Sequence, residues 1–141
     1  MNNKIFKLYK FRTMLNGTPE VETDKLESPD NFYIKSCEFL RKSSMDELPQ
    51  LFNILIGDMS FIGPRPALYN QVELIEKRKK LGIDKLMPGV TGWAQINGRD
   101  YLSNDAKVSL DKYYMINKSY YLDFKIIFLS ILKTIKMDNV K

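Results

Sequence analysis

Histidine is absent from the 141 residues, and cysteine occurs once, as Cys37. Without histidine there is no Ser-His-Asp or Cys-His triad, no imidazole general base and no histidine zinc site. A single cysteine excludes an internal disulfide and a thiolate zinc cage. The chain is also poor in glycine, with seven. None of them forms a Walker A loop, because GDMSFIGPRP lacks the Gly-Lys-Ser/Thr ending. No apolar run reaches the ~20 residues of a spanning helix. No signal peptide is visible, since the first residues alternate lysine with apolar side chains. Acid, base or nucleophilic work therefore falls to carboxylates, lysine, tyrosine, serine or Cys37, and any metal is a hard ion on oxygen such as Mg²⁺.

What is present suits a globular protein: 44% hydrophobic and 28% charged residues, enough to build a core at this length. We read residues 1–141 as one domain of the α+β class, compact and mainly helical, with a few short strands. The net charge of +5 fits anionic partners: phosphorylated substrates, an anionic membrane surface or nucleic acid.

The most informative stretch runs from Ser43 to Pro66, SSMDELPQLFNILIGDMSFIGPRP. Ser44 and Glu47 have the spacing of a capping box, with Asp46 in the first turn of the predicted helix. Leu48, Leu51, Phe52 and Leu55 recur at helical spacing, which predicts an inward apolar face. Taken alone, Asp46 and Glu47 fit a well-capped helix without chemistry. The following turn, Gly63-Pro64-Arg65-Pro66, fixes an arginine between two prolines. A positioned guanidinium grips phosphate through paired hydrogen bonds, so the acids and Arg65 together suggest a site for a phosphate and its metal.

On either side, Ile5–Arg12 alternates and predicts a strand, with Lys10 and Arg12 on one face. These cations fit either a diphosphate clamp or a guarded sheet edge. The polar stretch 16–31 reads as a surface loop, and Phe32–Lys42 as a short helix in which Cys37 is a core residue. Arg41 fits a phosphate contact or a salt bridge. Ala67–Leu81 predicts a helix opened by Pro66 and closed by a solvated cationic end, Lys77 to Lys80. Val90–Ile96 predicts a strand around Trp93, a packing or interface residue. Asn97-Gly98 predicts a turn, with Arg99 after it. Ser103 or Asn104 is placed to cap a further helix, Ser103–Asn117, and Ser119 the last one, Tyr120 to about Met137. The last is apolar over most of its circumference and fits either a buried core helix or one lying in a membrane interface.

Three segments carry a resemblance: KFRTM at Lys10–Met14, DELPQLFNILIGDMSFIGPRP from Asp46, and PGVTGWAQINGR at Pro88–Arg99. They resemble the signatures of bacterial sugar transferases, the monotopic polyprenyl-phosphate phosphoglycosyl transferases. The ending LDFKIIFLSILKTIK is similar to the family's C-terminal segment, and the order of the motifs matches over nearly the whole chain. The resemblance implies transfer of a phosphosugar from a UDP-sugar to a polyprenyl phosphate, such as undecaprenyl phosphate, with release of UMP. This step begins capsule, exopolysaccharide, lipopolysaccharide or glycoprotein assembly. It implies Asp46 as nucleophile, Glu47 as support for Mg²⁺, and Lys10, Arg12, Arg65 and Arg99 as a clamp on substrate phosphates. It also implies a membrane-associated enzyme on the cytoplasmic face of the bacterial inner membrane, with no role for nucleic acid and a homodimer compatible with membrane-bound relatives. It favours the interfacial reading of the last helix.

The chain departs from the family pattern in two places. Relatives carry a Trp near Leu102–Asn104, and a hydrophobic re-entrant helix before the KFRTM segment. The expectation for a chain starting ten residues before Phe11 is weak turnover in the complete reaction and partial solubility. The competing expectation is a non-catalytic remnant, or half of a split enzyme, that binds nucleotide-sugar or membrane.

Overall fold

The computed structural model describes residues 4–19, 21, 28–98 and 102–135. It contains six α-helices and two short strands in the order α1 (Glu38–Lys42), α2 (Gln50–Leu55), β1 (Ser60–Ile62), α3 (Val72–Lys80), β2 (Gly89–Thr91), α4 (Trp93–Ile96), α5 (Asn104–Asn117) and α6 (Tyr120–Ile135). Short 3₁₀ turns fall at Pro29–Phe32, Lys35–Cys37, Met45–Glu47 and Ile83–Lys85. The architecture is α+β and mainly helical, as the composition and periodicity predict.

The strands pair in parallel, Ser60 with Gly89 and Ile62 with Thr91. Beyond the register, Gly63 N donates to Thr91 O at 2.9 Å and Gly89 N to Pro64 O at 2.9 Å. The backbones pass so closely that glycine is required. A Cβ on Gly92 would lie 2.1 Å from Gly63 O, and one on Gly63 would lie 2.2 Å from Met87 O. This contact presses the Gly63–Pro66 turn against the Pro88–Gly92 segment.

There are two apolar clusters, the first of which packs against Ile62 of β1. Ile96, Tyr114, Leu122 and Ile126 join α4, α5 and α6, while Leu74, Ile83 and Val108 join α3 and α5. Leu86 packs against both. Trp93 stacks on Tyr113 with ring centroids 5.4 Å apart, a packing role. The two long helices start where their caps predict: Ser103 Oγ accepts from Ala106 N, and Ser119 Oγ from Leu122 N, each at 3.3 Å.

Several elements differ from their sequence-based expectations. Ser44 caps nothing; it adopts left-handed φ of 55°, and Asp46 and Glu47 occupy a single 3₁₀ turn. Pro49 has no amide to offer the Met45 carbonyl, which instead accepts from Leu48 N at 3.2 Å. The α-helix therefore begins only at Gln50. Its faces are also reversed. Gln50 and Asn53 are buried, whereas Leu48, Leu51, Phe52 and Leu55 are exposed, Leu55 at 81%.

Residues 5–12 form no ladder with another strand among the described residues. The Asn53 side chain substitutes for a neighbouring strand: its Nδ2 donates to Lys7 O at 2.7 Å, and its Oδ1 accepts from Tyr9 N at 3.0 Å. The next helix forms only over α1, where Cys37 precedes it half-buried. Helix α3 starts five residues later than expected, because Gln71 Oε1 captures the Leu68 amide at 2.8 Å in a preceding turn. The strand expected over Val90–Ile96 stops at Thr91, and Trp93 opens α4. Residues 20 and 22–27 of the stretch read as a loop, and the end of the last predicted helix, lie outside the described residues.

Candidate active site

Asp46 and Glu47 are nearly fully buried, at 5% and 6% exposure. Such carboxylates need cationic partners, and they have them. Lys10 Nζ lies 3.5 Å from Asp46 Oδ2 and 3.2 Å from Glu47 Oε1. Arg65 Nη2 donates to Glu47 Oε1 at 3.0 Å. The N-terminal segment delivers Lys10, because Asn53 holds Lys7 and Tyr9 and because Phe11 N donates to Asp46 O at 2.9 Å. Four of the sequence-predicted residues thus meet at one point.

The other two are not brought there. Arg12 is exposed and its guanidinium donates to Asn16, so the strand face proposed for Lys10 and Arg12 does not exist. Without a ladder the segment lacks the pleat that would align residues two apart. Arg99 lies outside the described residues. Arg41 stands over the Tyr33 ring, 4.4 Å from its centroid.

Arg65 is held through its backbone. Its turn is tied to β2 on one side, and on the other Arg78 Nη1 donates to the Arg65 carbonyl at 2.8 Å. Arg78 is buried, not part of a solvated helix end. Its Nε and Nη2 both bond Asp111 Oδ2, at 2.9 and 2.6 Å. Burial pushes the Asp111 carboxyl above its ordinary value, and the Arg78 charge opposes that shift. Also on α5, Tyr114 donates to Asp123 at 2.8 Å. Burial first, and then Asp123, push the Tyr114 phenol upward, so it stays a neutral donor.

Two cavities meet at the site. A groove of about 690 Å³ is lined mostly by apolar atoms, among them Leu48, Leu51, Phe61 and Ile131, with Glu47 and Arg65 in its wall. A smaller cavity of about 220 Å³ has the cations Lys10, Arg65, Arg78 and Lys107 in its wall, among uncharged residues such as Leu8, Leu68 and Leu74. Arg65 and Gln95 line both. Asp46 lines neither and sits behind Lys10 and Glu47. Sequence reasoning missed Gln95, Arg78, Asp111 and Asn53. Gln95 falls inside the PGVTGWAQINGR segment, and Arg78 sits alone within a run of lysines.

The chain belongs to the bacterial sugar transferase family, whose model matches residues 1–137. It is 42% identical to the uncharacterized sugar transferase EpsL of Bacillus subtilis strain 168, over all of this chain and 68% of that protein. It is 39% identical to the UDP-glucose:undecaprenyl-phosphate glucose-1-phosphate transferase of Escherichia coli K12, over 94% of this chain and 30% of that enzyme. It is 36% identical to the undecaprenyl-phosphate galactose phosphotransferase of Salmonella typhimurium LT2, over 90% of this chain and 30% of that enzyme. The chain thus spans about a third of the length of these two enzymes.

Proposed function

We propose that the chain transfers a phosphosugar from a UDP-sugar to a polyprenyl phosphate, releasing UMP, as the first step of lipid-linked glycan assembly. One observation carries this reading above the others. A buried carboxylate pair is held between Lys10 and Arg65 where a cationic cavity adjoins an apolar groove. A hydrophilic, doubly charged donor and an amphiphilic acceptor need these two surfaces side by side. The relatives whose names state a glucose or galactose phosphotransferase activity on undecaprenyl phosphate support it.

In this mechanism the donor's diphosphate draws Lys10 away from Asp46. An Asp46 oxygen then attacks the sugar-bearing phosphorus. The bond from that phosphorus to the bridging oxygen breaks, and the oxygen leaves with UMP. This produces a phosphosugar ester of the carboxylate. A phosphate oxygen of the acceptor attacks the same phosphorus, which restores the Asp46 carboxylate and yields a sugar diphosphate lipid. Arg65 and Lys10 stabilise the charge that builds on the transferred phosphoryl oxygens.

Asp46 and Glu47 offer the hard oxygen donors that suit Mg²⁺, and no group of three or more protein ligands occurs among the described residues. Substrate phosphates and water would therefore complete its shell, as is usual for this ion. Mg²⁺ bound there supplies neutralisation of diphosphate charge.

The exposed apolar faces of α2 and α6 support seating on a membrane, since both border the groove. No helix among the described residues is long and apolar enough to cross one.

The test is a burst of UMP on mixing with Mg²⁺ and a panel of UDP-sugars, without lipid acceptor. The expected result is about one UMP per chain, lost in Asp46→Asn while the thermal transition is kept. A second reading, a binding module without chemistry, draws on the placement of Asp46 outside both cavities. It predicts UDP-sugar binding with no UMP from either protein.

A further inference from the structure

Gln95 presents an unusual state for a native side chain. Both its Nε2 and its Oε1 are buried, and neither has a hydrogen-bond partner among the described residues. A primary amide can make up to four hydrogen bonds, and buried amides in folded proteins nearly always make some. The amide lies against the neighbouring backbone. Gly92, immediately before α4, is so close that a Cβ there would meet Gln95 Oε1 at 2.9 Å. Gln95 lines both cavities, as Arg65 does. An unmet donor and acceptor, side by side at the junction of a charged cavity and an apolar groove, are complementary to a ligand group with the same pairing.

We propose that Gln95 is a substrate-contacting residue that sets donor specificity, an inference that rests on the function proposed above. Its amide takes a neutral donor–acceptor pair on the sugar-nucleotide while Lys10 and Arg65 take the diphosphate. Two parts of the donor carry such a pair: the imide edge of the uracil and a vicinal diol of the sugar. Binding of the donor satisfies the amide, so the unpaired group makes the empty protein less stable and the occupied one more selective.

The experiment measures thermal unfolding and calorimetric binding for the wild-type chain, Gln95→Met and Gln95→Glu, with Mg²⁺ and with UMP or UDP-glucose and UDP-galactose as probes. Methionine keeps the length of the side chain and removes the unpaired atoms. Its midpoint without ligand should rise by roughly 3–5 °C, while its affinity for the probe falls by roughly ten- to a hundredfold. Gln95→Glu, which keeps the acceptor and adds a negative charge beside the diphosphate, should lose at least as much affinity. Weakened UMP binding assigns the amide to the base, and weakened binding of the UDP-sugars alone assigns it to the sugar. A fall in the Gln95→Met midpoint, or equal affinity in both proteins, overturns the inference. A wild-type chain that binds none of the probes overturns the functional reading instead, and the ligand class proposed for Gln95 with it.

Discussion

Arg65 reaches Glu47 from a backbone that other residues hold in place. The Arg78 guanidinium divides its hydrogen bonds between Asp111 and the Arg65 carbonyl. A buried charge pair of this kind is poor evidence of net stabilisation, because desolvation offsets much of the attraction. Its geometric effect is clearer: α3 and α5 together set where the Gly63–Pro66 turn stands. Arg78→Lys keeps a positive charge for Asp111 but cannot bond both partners with a planar fork. We expect it to lower the rate of UMP release by roughly tenfold or more. The same change in an Arg65→Ala background should leave the rate alone and still lower the melting temperature. A double-mutant cycle on rate and stability separates the two effects. Equal rate losses in both backgrounds would show that Arg78 does not act through Arg65.

At the scale of elements, the decisive contact is between two backbones. Gly63, Gly89 and Gly92 let the turn carrying Arg65 lie directly on the segment carrying Gln95. Nothing in a single glycine's sequence neighbourhood reveals this, because Gly92 has an extended φ of −176° that any residue could adopt. The requirement is steric and comes from a segment about thirty residues away. Gly92→Ala places a methyl 2.1 Å from the Gly63 carbonyl oxygen, a backbone atom with no rotamer to change. Overpacking of this kind costs about 1–3 kcal/mol or more. A urea titration should show a lower midpoint with an unchanged slope, and UMP release should fall further than stability does. An unchanged midpoint would mean that the two segments separate easily.

For the whole molecule, the distribution of apolar surface is the unusual feature. Phe52 and Leu55 on α2, and Phe124, Phe128 and Ile131 on α6, are all exposed. Exposed Leu51 on α2 and exposed Ile127, Ile131 and Ile135 on α6 line the same groove, so part of this apolar surface is shared between the two helices rather than scattered singly. The net charge of +5 adds attraction to anionic lipid. Co-sedimentation with vesicles containing phosphatidylglycerol should therefore retain the wild-type chain. Phe52→Asp combined with Phe128→Asp should weaken binding by roughly tenfold or more without lowering the melting temperature, since neither ring lies in the core. High salt should remove only part of the wild-type binding. If salt alone releases the protein, the apolar faces are not what the membrane meets.

The sequence by itself determined the chemistry available and much of the local structure. The missing histidine left carboxylates and cations to carry the site. The long ordered motifs carried the family, and Ser103 or Asn104 and Ser119 marked the starts of α5 and α6, because a cap is a contact within one turn. Asp46, Glu47, Lys10 and Arg65 could be named as candidates from their motifs and the family resemblance, each with a purely structural reading beside it. Only the tertiary structure decided which of the cations meet the acids, with Lys10 and Arg65 drawn in and Arg12 left outside. It decided that Arg78 is buried on Asp111, thirty-three residues further on. It also decided that the apolar stripe of α2 faces outward while Asn53 holds the N-terminal segment. Periodicity shows that a helix has an apolar face, but it cannot show which neighbour that face meets. That depends on contacts between segments far apart in the chain, and such contacts exist only once the chain has folded.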